Sequence, residues 1–174
     1  MSVKELFRLV KREKELAEKE ENGSVGIVYC GDFNNVAIGT TIRHALGSPI
    51  TGNEVDMFSS GKAGVFKLET PLQTPIVMKS AIEPIHSTFI WGSCSKRLKQ
   101  ELIDYSGYSN YVGPFIGNLD YIFYNGMKRY SSCNPFDHDD VTKRSGLPSE
   151  YFPSDHLAQV AVLEFPSDDT METS

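Results

Sequence analysis

The chain has 174 residues, 40% of them apolar and 11% aromatic, which is enough to bury the core of one domain. Its formal net charge of −6 excludes a generally basic surface for nucleic acid, so any contact with a polyanion must be local. Cys30, Cys94 and Cys133 lack metal-type spacing, which argues against a disulfide framework or a zinc site and favours a reducing compartment, cytoplasmic or mitochondrial. No run has the length of a membrane span, and no targeting segment is recognisable.

The N-terminal part of the chain predicts a helix followed by a strand. Apolar residues at helical spacing and a Lys/Glu-rich continuation predict a leading charged helix within residues 1–24. The β-branched apolar run from Val25 to Cys30 then predicts a buried strand, and Gly31 allows the chain to turn at its end.

The middle of the chain gives fewer signals. Thr40 or Thr41 is predicted to cap a short helix that ends at Gly47. Residues 48–75 are rich in Gly, Ser, Thr and Pro and are predicted to form a long surface excursion. Residues 95–105 predict another helix. Its compact cationic group consists of Lys96, Arg97 and Lys99.

The C-terminal third predicts the strands on which the functional argument depends. In chain order the predictions are a strand over 119–124, a hairpin turn at Asn125-Gly126, an antiparallel return strand over 127–133, a polar and mobile segment over 134–149, a final strand over 156–165 and a disordered acidic tail over 166–174.

The first polar cluster, Gly31-Asp32-Phe33-Asn34, follows the end of a predicted strand. If extended geometry continues there, Asp32 and Asn34 leave the same face of the sheet, while Phe33 points into the core. A carboxylate in that place can hold or deprotonate a water, and a neutral amide can orient the water or contact a phosphate oxygen without repulsion. The alternative is that these residues form only a turn, where Gly, Asp and Asn are common.

Two further polar clusters, Asp120 and Asp155-His156, lie in predicted strands near the C-terminus. Taken singly, Asp120 is an ordinary solvent-facing acid, and Asp155 and His156 are a cap and a hydrogen-bonded histidine. Taken together, an Asp can accept a hydrogen bond from a His on a neighbouring strand, which fixes the tautomer and lets an imidazolium face a phosphate. The other histidines are expected at surface or packing positions, and they are His44, His86 and His138.

Acid, amide and imidazole in these clusters are the groups that metal-assisted hydrolysis of a phosphodiester needs. In this order and with these flanking sequences, they resemble the endonuclease/exonuclease/phosphatase superfamily of magnesium-dependent phosphodiesterases. The stretches YSNYVGPFIGNLDYIF (residues 108–123) and LPSEYFPSDH (residues 147–156) narrow the resemblance to its deadenylase branch, which includes nocturnin, the Angel proteins and a mitochondrial 2′,5′-phosphodiesterase. The similarity covers residues 25–165, with a divergent stretch from 48 to 104.

The resemblance implies a role for each residue of the three clusters. Asp32 acts on the attacking water and contributes to a Mg²⁺ site, and Asn34 contacts the scissile phosphate. Asp120 pairs with His156, which stabilises the phosphate, and Asp155 lies at the metal and water cluster.

Asn110 and Phe115 match positions at which the deadenylase branch holds the substrate nucleotide. An aromatic ring there is physically sensible, because stacking on a base contributes roughly 1 to 3 kcal/mol and needs no positive field. The alternative for Phe115 is an aromatic residue that packs in the core or under a loop.

The resemblance also implies the fold class: α/β, as the C-terminal half of a four-layer α/β/β/α sandwich, with residues 25–165 as a partial domain. In that superfamily the N-terminal half supplies a magnesium-binding Glu, an early Asn and a further His, which are not recognisable in this sequence. A divalent cation keeps only one or two protein carboxylates, so the magnesium site is expected to be incomplete in this chain.

The expected function is therefore that of a magnesium-dependent 3′-5′ exoribonuclease or phosphodiesterase on poly(A) or 2′,5′-oligoadenylate RNA, completed by a complementary N-terminal half. The first alternative is a non-catalytic truncated module that binds RNA or a complementary chain. The second is an abasic-site endonuclease or a sugar-phosphate phosphatase of the same superfamily.

Overall fold

The computed structural model describes residues 3–21, 25–37, 39–51, 71–82, 90–91, 108–133, 138–142 and 146–165. Within these ranges the helices are α1 (Val3–Glu21), α2 (Thr40–Ala45) and α3 (His138–Thr142). The strands are β1 (Ile27–Asp32), β2 (Lys79–Ser80), β3 (Ile90–Trp91), β4 (Asn110–Val112), β5 (Phe115–Gly117), β6 (Asp120–Asn125), β7 (Lys128–Cys133) and β8 (Val160–Glu164).

The described strands form three antiparallel sheets, in the orders β1-β6-β2, β3-β5-β4 and β7-β8. In the first sheet β6 lies between β1 and β2. Its register against β1 pairs Asp32 with Asp120 at one end and Ile27 with Asn125 at the other. Helices and antiparallel sheets together give an α/β fold, which agrees with the predicted class and fits part of the superfamily's fold.

The structure confirms the leading helix and corrects the strand that follows it. α1 is charged, and none of the described helices is long and apolar enough to cross a membrane. β1 is shifted relative to the predicted residues 25–30, and the chain does not turn at Gly31, which lies inside the strand. β1 is also not buried on both faces, because Tyr29 packs against the core whereas Val28 is 49% exposed. A continuous apolar run predicts a strand, but it does not show whether both faces of that strand are buried.

α2 begins without the predicted threonine cap and ends as predicted. Gly39 is the N-cap, the described residues supply no side-chain cap there, and Thr40 is already helical. At the other end Gly47 has a φ of 101°. Its N–H donates to the His44 carbonyl at 3.1 Å, and the N–H of Ser48 donates to the carbonyl of Arg43. This is a Schellman arrangement, which satisfies the last carbonyls of a helix and favours glycine.

Two predicted segments lie largely outside the described residues. The ends of the surface excursion over 48–75 are described, and Ile50 pairs with Leu72 across them in an isolated bridge. The predicted helix over 95–105, its cationic group and the C-terminal tail lie outside the described ranges.

The predicted hairpin of β6 and β7 is wrong, although the turn between them is present. Gly126 has a φ of 72°, but β7 pairs with β8, whereas β6 pairs with β1 and β2. An added Cβ at Gly126 would collide with the carbonyl oxygen of Val25, so the turn packs against the segment before β1. The turn residues predict a reversal of the chain, but the strand partner depends on contacts distant in sequence.

The segment predicted to be polar and mobile, residues 134–149, contributes to the core. Val141 of α3 and Leu147 are buried in one cluster with side chains from the second sheet. Two apolar side chains among polar ones are enough to join the described parts of the segment to the core. The final strand is confirmed as β8, although it is shorter than the predicted 156–165.

A second cluster of buried side chains lies on one face of the β1-β6-β2 sheet and is covered by α2. Its buried members are Ile42, Ala45, Met78, Tyr121 and Phe123. Because this cluster occupies one face, the alternation of side chains along a strand directs the residues between them to the other face. The polar clusters lie on that second face.

Candidate active site

Asp120 and His156 form a hydrogen-bonded pair between segments that are far apart in sequence. Nδ1 of His156 lies 2.8 Å from Oδ2 of Asp120, as the motifs predict. Asp120 opens β6, and an isolated antiparallel bridge to Asn110 holds His156 beside it. An ionised carboxylate can only accept, so this contact assigns the proton to Nδ1. The arrangement orients the ring and leaves Nε2 for other partners.

Asp32 and Asp155 face that second ring nitrogen. Oδ2 of Asp32 lies 3.9 Å from Nε2 of His156, and Oδ2 of Asp155 lies 4.0 Å from the same atom. Neither separation is a hydrogen bond. The structure therefore brings Asp32, Asp120, Asp155 and His156 together around one small gap.

Asn34 reaches the cluster through a turn and not through an extended strand. Its φ is 46°, its backbone N–H donates to Oδ1 of Asp32 at 2.7 Å, and its side-chain amide donates to Oδ2 at 2.9 Å. The turn alternative is therefore correct in geometry, and the turn itself fixes the amide beside the acid. Phe33 packs into the aromatic core as predicted.

The surrounding carboxylates raise the pKa of His156 above its ordinary value of 6.5. Burial by itself lowers this pKa, but the hydrogen bond to Asp120 and the negative charges of Asp120, Asp32 and Asp155 outweigh it. The imidazolium form is thus more favoured than in a free histidine, and a cation in this position can attract a phosphate oxygen.

Part of this group also suits a divalent metal. Asp32, Asp120 and His156 each offer a ligand atom, and these atoms lie within 4.8 Å of one another. Carboxylate oxygens suit a hard cation such as Mg²⁺. The imidazole suits it less well, because a ligating nitrogen must be neutral whereas the carboxylates favour imidazolium. Asp155 lies outside this group, so metal binding by Asp32 and Asp155 together stays a prediction.

A cavity of about 500 Å³ opens beside the Asp120–His156 pair. Its walls include Cys30 and Gln159, which no sequence motif predicts to be site residues. Gln159 donates to Oδ1 of Asn118 at 2.7 Å, and its own Oε1 is buried without a donor among the described residues. In the sequence only their positions connect these two residues with the site. Asn118 lies two residues before Asp120, and Gln159 lies three residues after His156.

The two predicted substrate-binding residues occupy different surroundings. Asn110 is buried and its side-chain amide donates to the carbonyl of Asp155 at 3.1 Å, so it lies at the site. Phe115 is 6% exposed and clusters with Val36 and Leu119 instead of lining the cavity. Its burial agrees with the packing alternative, and nucleotide binding by either residue stays a prediction.

The other histidines do not join the cluster within the described part of the chain. His44 is buried in α2 with Nδ1 3.3 Å from the carbonyl of Ser48, which agrees with its predicted packing role. His86 and the side chain of His138 lie outside what the structure describes.

Comparison with known proteins points to the same branch as the motifs. A 2′,5′-phosphodiesterase 12 of Mus musculus is 29% identical over 144 residues, which are 81% of this chain and 20% of the relative. The Homo sapiens protein of that name is 28% identical over the same shares. These matches confirm the resemblance to the deadenylase branch. A Ccr4 3′-5′-exoribonuclease subunit of the CCR4-Not complex from Neurospora crassa is 24% identical over 83% of this chain and 16% of the relative.

The relatives of this chain have the names of enzymes. The relatives are named as a phosphodiesterase and an exoribonuclease, both of which hydrolyse phosphodiester bonds. No family model matches the chain. The chain spans about a fifth of the length of the phosphodiesterases that it matches.

Proposed function

We propose that this chain is part of a magnesium-dependent 3′-5′ exoribonuclease or phosphodiesterase that acts on poly(A) or 2′,5′-oligoadenylate. The observation that supports this most is the 2.8 Å contact of Asp120 with His156, with Asp32 at the free ring nitrogen. An oriented imidazolium beside a carboxylate is suited to phosphodiester hydrolysis. The substrate class comes from the names of the relatives.

Each side chain has a role that its contacts support. Asp32 orients the attacking water and accepts its proton, because its carboxylate is exposed and can only accept. Asn34, held on that carboxylate, contacts the scissile phosphate. Nε2–H of His156 donates to a phosphate oxygen and offsets the charge that develops there, while Asp120 fixes the ring.

Asp32 and Asp155 are the residues that would hold Mg²⁺. When bound, the ion supplies Lewis-acid stabilisation of negative charge on the phosphate. The chain's own contribution is to hold two carboxylate oxygens about 4 Å from Nε2 of His156, so that the imidazolium and the metal ligands face the same gap.

The proposal also includes a complementary N-terminal half, in the same polypeptide or in another. Residues 25–165 are then the C-terminal half of the four-layer sandwich. Three exposed apolar side chains support it: Val28 on β1 is 49% exposed, and Val160 and Val162 on β8 are 46% and 51% exposed. A second sheet packed on either strand would bury the valines that this strand carries. The free and exposed thiols of Cys30 and Cys133 suit a reducing compartment, cytoplasmic or mitochondrial.

The second candidate is a non-catalytic module that binds RNA or a complementary chain. The same exposed valines favour it, because a binding partner would cover them as well as a catalytic half would. The two candidates differ in whether the Asp120–His156 pair carries out chemistry.

The deciding experiment measures hydrolysis of oligoadenylate in Mg²⁺ by the chain alone and by the chain mixed with the N-terminal half of the catalytic domain of a phosphodiesterase relative. We expect slow turnover alone and faster turnover in the mixture. In the mixture Asp32→Ala and His156→Ala should each lower kcat by about a hundredfold or more. Glu13→Ala, which removes an exposed carboxylate of α1, is the matched control and should leave kcat unchanged.

Robust turnover by the chain alone, abolished by Asp32→Ala, would contradict the need for a complementary half. Turnover that neither Asp32→Ala nor His156→Ala reduces would contradict the site. An inactive mixture in which both halves are folded and bound to each other would favour the non-catalytic module.

Phe115→Leu tests the proposed nucleotide platform, because it keeps most of the apolar volume and removes the π face. A ring that stacks on a base acts in ground and transition states alike, so its loss would raise KM and leave kcat unchanged. Since Phe115 is 6% exposed, we expect neither constant to change. A severalfold rise in KM would restore Phe115 to the substrate site.

A further inference from the structure

Ser109 is fully buried between the segments that carry Asp120 and His156. Its Oγ accepts hydrogen bonds from the backbone N–H groups of Leu119 at 2.9 Å and Asp120 at 3.0 Å. Its carbonyl accepts the N–H of Leu157, the residue after His156, at 2.7 Å. One buried serine therefore holds the backbone on both sides of the hydrogen-bonded pair.

Two further contacts extend this framework to the remaining polar clusters. The carbonyl of Leu119 accepts the N–H of Phe33, in the middle of the first cluster, at 2.9 Å. The side-chain amide of Asn110 donates to the carbonyl of Asp155 at 3.1 Å. All three polar clusters are thus tied, directly or through one intermediate residue, to the Ser109-Asn110 dipeptide.

The side-chain oxygen of Ser109 is the part of this framework that only another hydroxyl could replace. A hydroxyl oxygen has two lone pairs, and here both face N–H groups of consecutive residues at the start of β6. Buried N–H groups without partners are strongly disfavoured, so without Oγ this segment must shift to find other acceptors. The carboxylate of Asp120 would shift with it.

We propose that Ser109 is a positioning residue, whose Oγ sets the backbone of Asp120 so that its carboxylate meets Nδ1 of His156. The effect on this hydrogen bond follows from the chain's own geometry. The effect on catalysis rests on the function proposed above.

The test is NMR of the ¹⁵N-labelled 174-residue chain, read at the Nδ1–H proton of His156 and at the backbone amide of Asp120. In Ser109→Ala we expect loss or broadening of the Nδ1–H signal, and hydrogen exchange of the Asp120 amide at least about tenfold faster than in wild type. Ser109→Thr, which keeps the hydroxyl, should restore both. If Ser109→Ala does not fold, Ser109→Cys provides the test, because a thiol has a similar shape but accepts weakly.

Ser80→Ala is the matched control, since it removes a buried hydroxyl from β2, which also contacts β6. Ser80 donates to the carbonyl of Ile82 at 2.7 Å and pairs with Phe123 of β6, three residues from Asp120. We expect a similar loss of stability and an unchanged His156 signal. A purely structural role for Ser109 would make the two variants behave alike.

The outcomes separate this inference from the proposed function. An unchanged Nδ1–H signal in folded Ser109→Ala or Ser109→Cys, or its loss in Ser80→Ala, would overturn the positioning role. If the chain proves inactive but the signal depends on Ser109 as expected, the positioning role stands and the catalytic proposal fails. In an active mixture Ser109→Ala should lower kcat by up to about a hundredfold with little change in KM.

Discussion

The two faces of the β1–β6 pair are built from the same strands and carry opposite kinds of side chain. One face packs four aromatic rings whose centroids lie 5.0 to 5.8 Å apart in edge-to-face or stacked contacts. These rings belong to Tyr29, Phe33, Tyr121 and Phe123. The other face, called the charged face below, sets Asp32 directly opposite Asp120 at one end. Towards its other end it leaves Val28 exposed. The difference shows which face stabilises the fold and which holds the site.

The packing of the aromatic face helps to hold the two adjacent carboxylates of the other face in place. Two acids directly opposite each other across antiparallel strands repel, so the pairing of Asp32 with Asp120 costs stability. The aromatic face offsets this cost, because buried rings contribute both apolar area and favourable edge-to-face contacts. The imidazolium of His156 offsets it further on the charged side.

The largest expected effect contrasts two neighbouring residues of β6 that point to opposite faces. Phe123→Ala removes a fully buried ring and should lower the free energy of unfolding by about 3–5 kcal/mol. Ile122→Ala, on the half-buried charged face, should lower it by only about 1 kcal/mol. Urea denaturation of both variants measures the difference. Equal losses would mean that the charged face is packed as tightly as the aromatic face.

The next effect is a pH dependence that arises on the charged face. Because the folded-state pKa of His156 is raised, its protonation stabilises the fold fully below about pH 6.5, and this contribution is lost as the pH rises through the raised pKa. Asp120→Asn removes the hydrogen-bonded charge, so the pKa of His156 should fall and the stability curve should flatten over that range. NMR titration of the imidazole and urea denaturation at several pH values measure both.

Asp155→Asn is the control for this experiment, because that side chain is 50% exposed and lies 4.0 Å from Nε2 of His156. Its effect on the pKa of His156 should have the same direction and a smaller size. A His156 pKa that Asp120→Asn leaves unchanged would show that the hydrogen bond does not set the protonation state.

Residue type made a pairing of Asp120 with His156 possible, and the resemblance of the flanking motifs to the deadenylase branch predicted it. Neither was enough where a result depends on contacts distant in sequence. The turn at Asn125-Gly126 is local chemistry, but the partner of the strand after it is not. Val141 was missed because its neighbours are polar, and Ser109 because a serine hydroxyl is common and its partners become visible only in the fold.

The smallest expected effect on stability concerns the exposed face of β8, in the separate β7-β8 sheet. Val162 is 51% exposed, so Val162→Ser should change the free energy of unfolding by no more than about 0.5 kcal/mol. Leu163→Ser, the next residue on the half-buried opposite face of the strand, is the matched comparison and should cost clearly more. Val162→Ser should still weaken binding of a hydrophobic dye and association on a sizing column, because an exposed apolar patch drives both. A loss of stability equal to that of Leu163→Ser, with dye binding unchanged, would mean that this face is already covered and needs no complementary sheet.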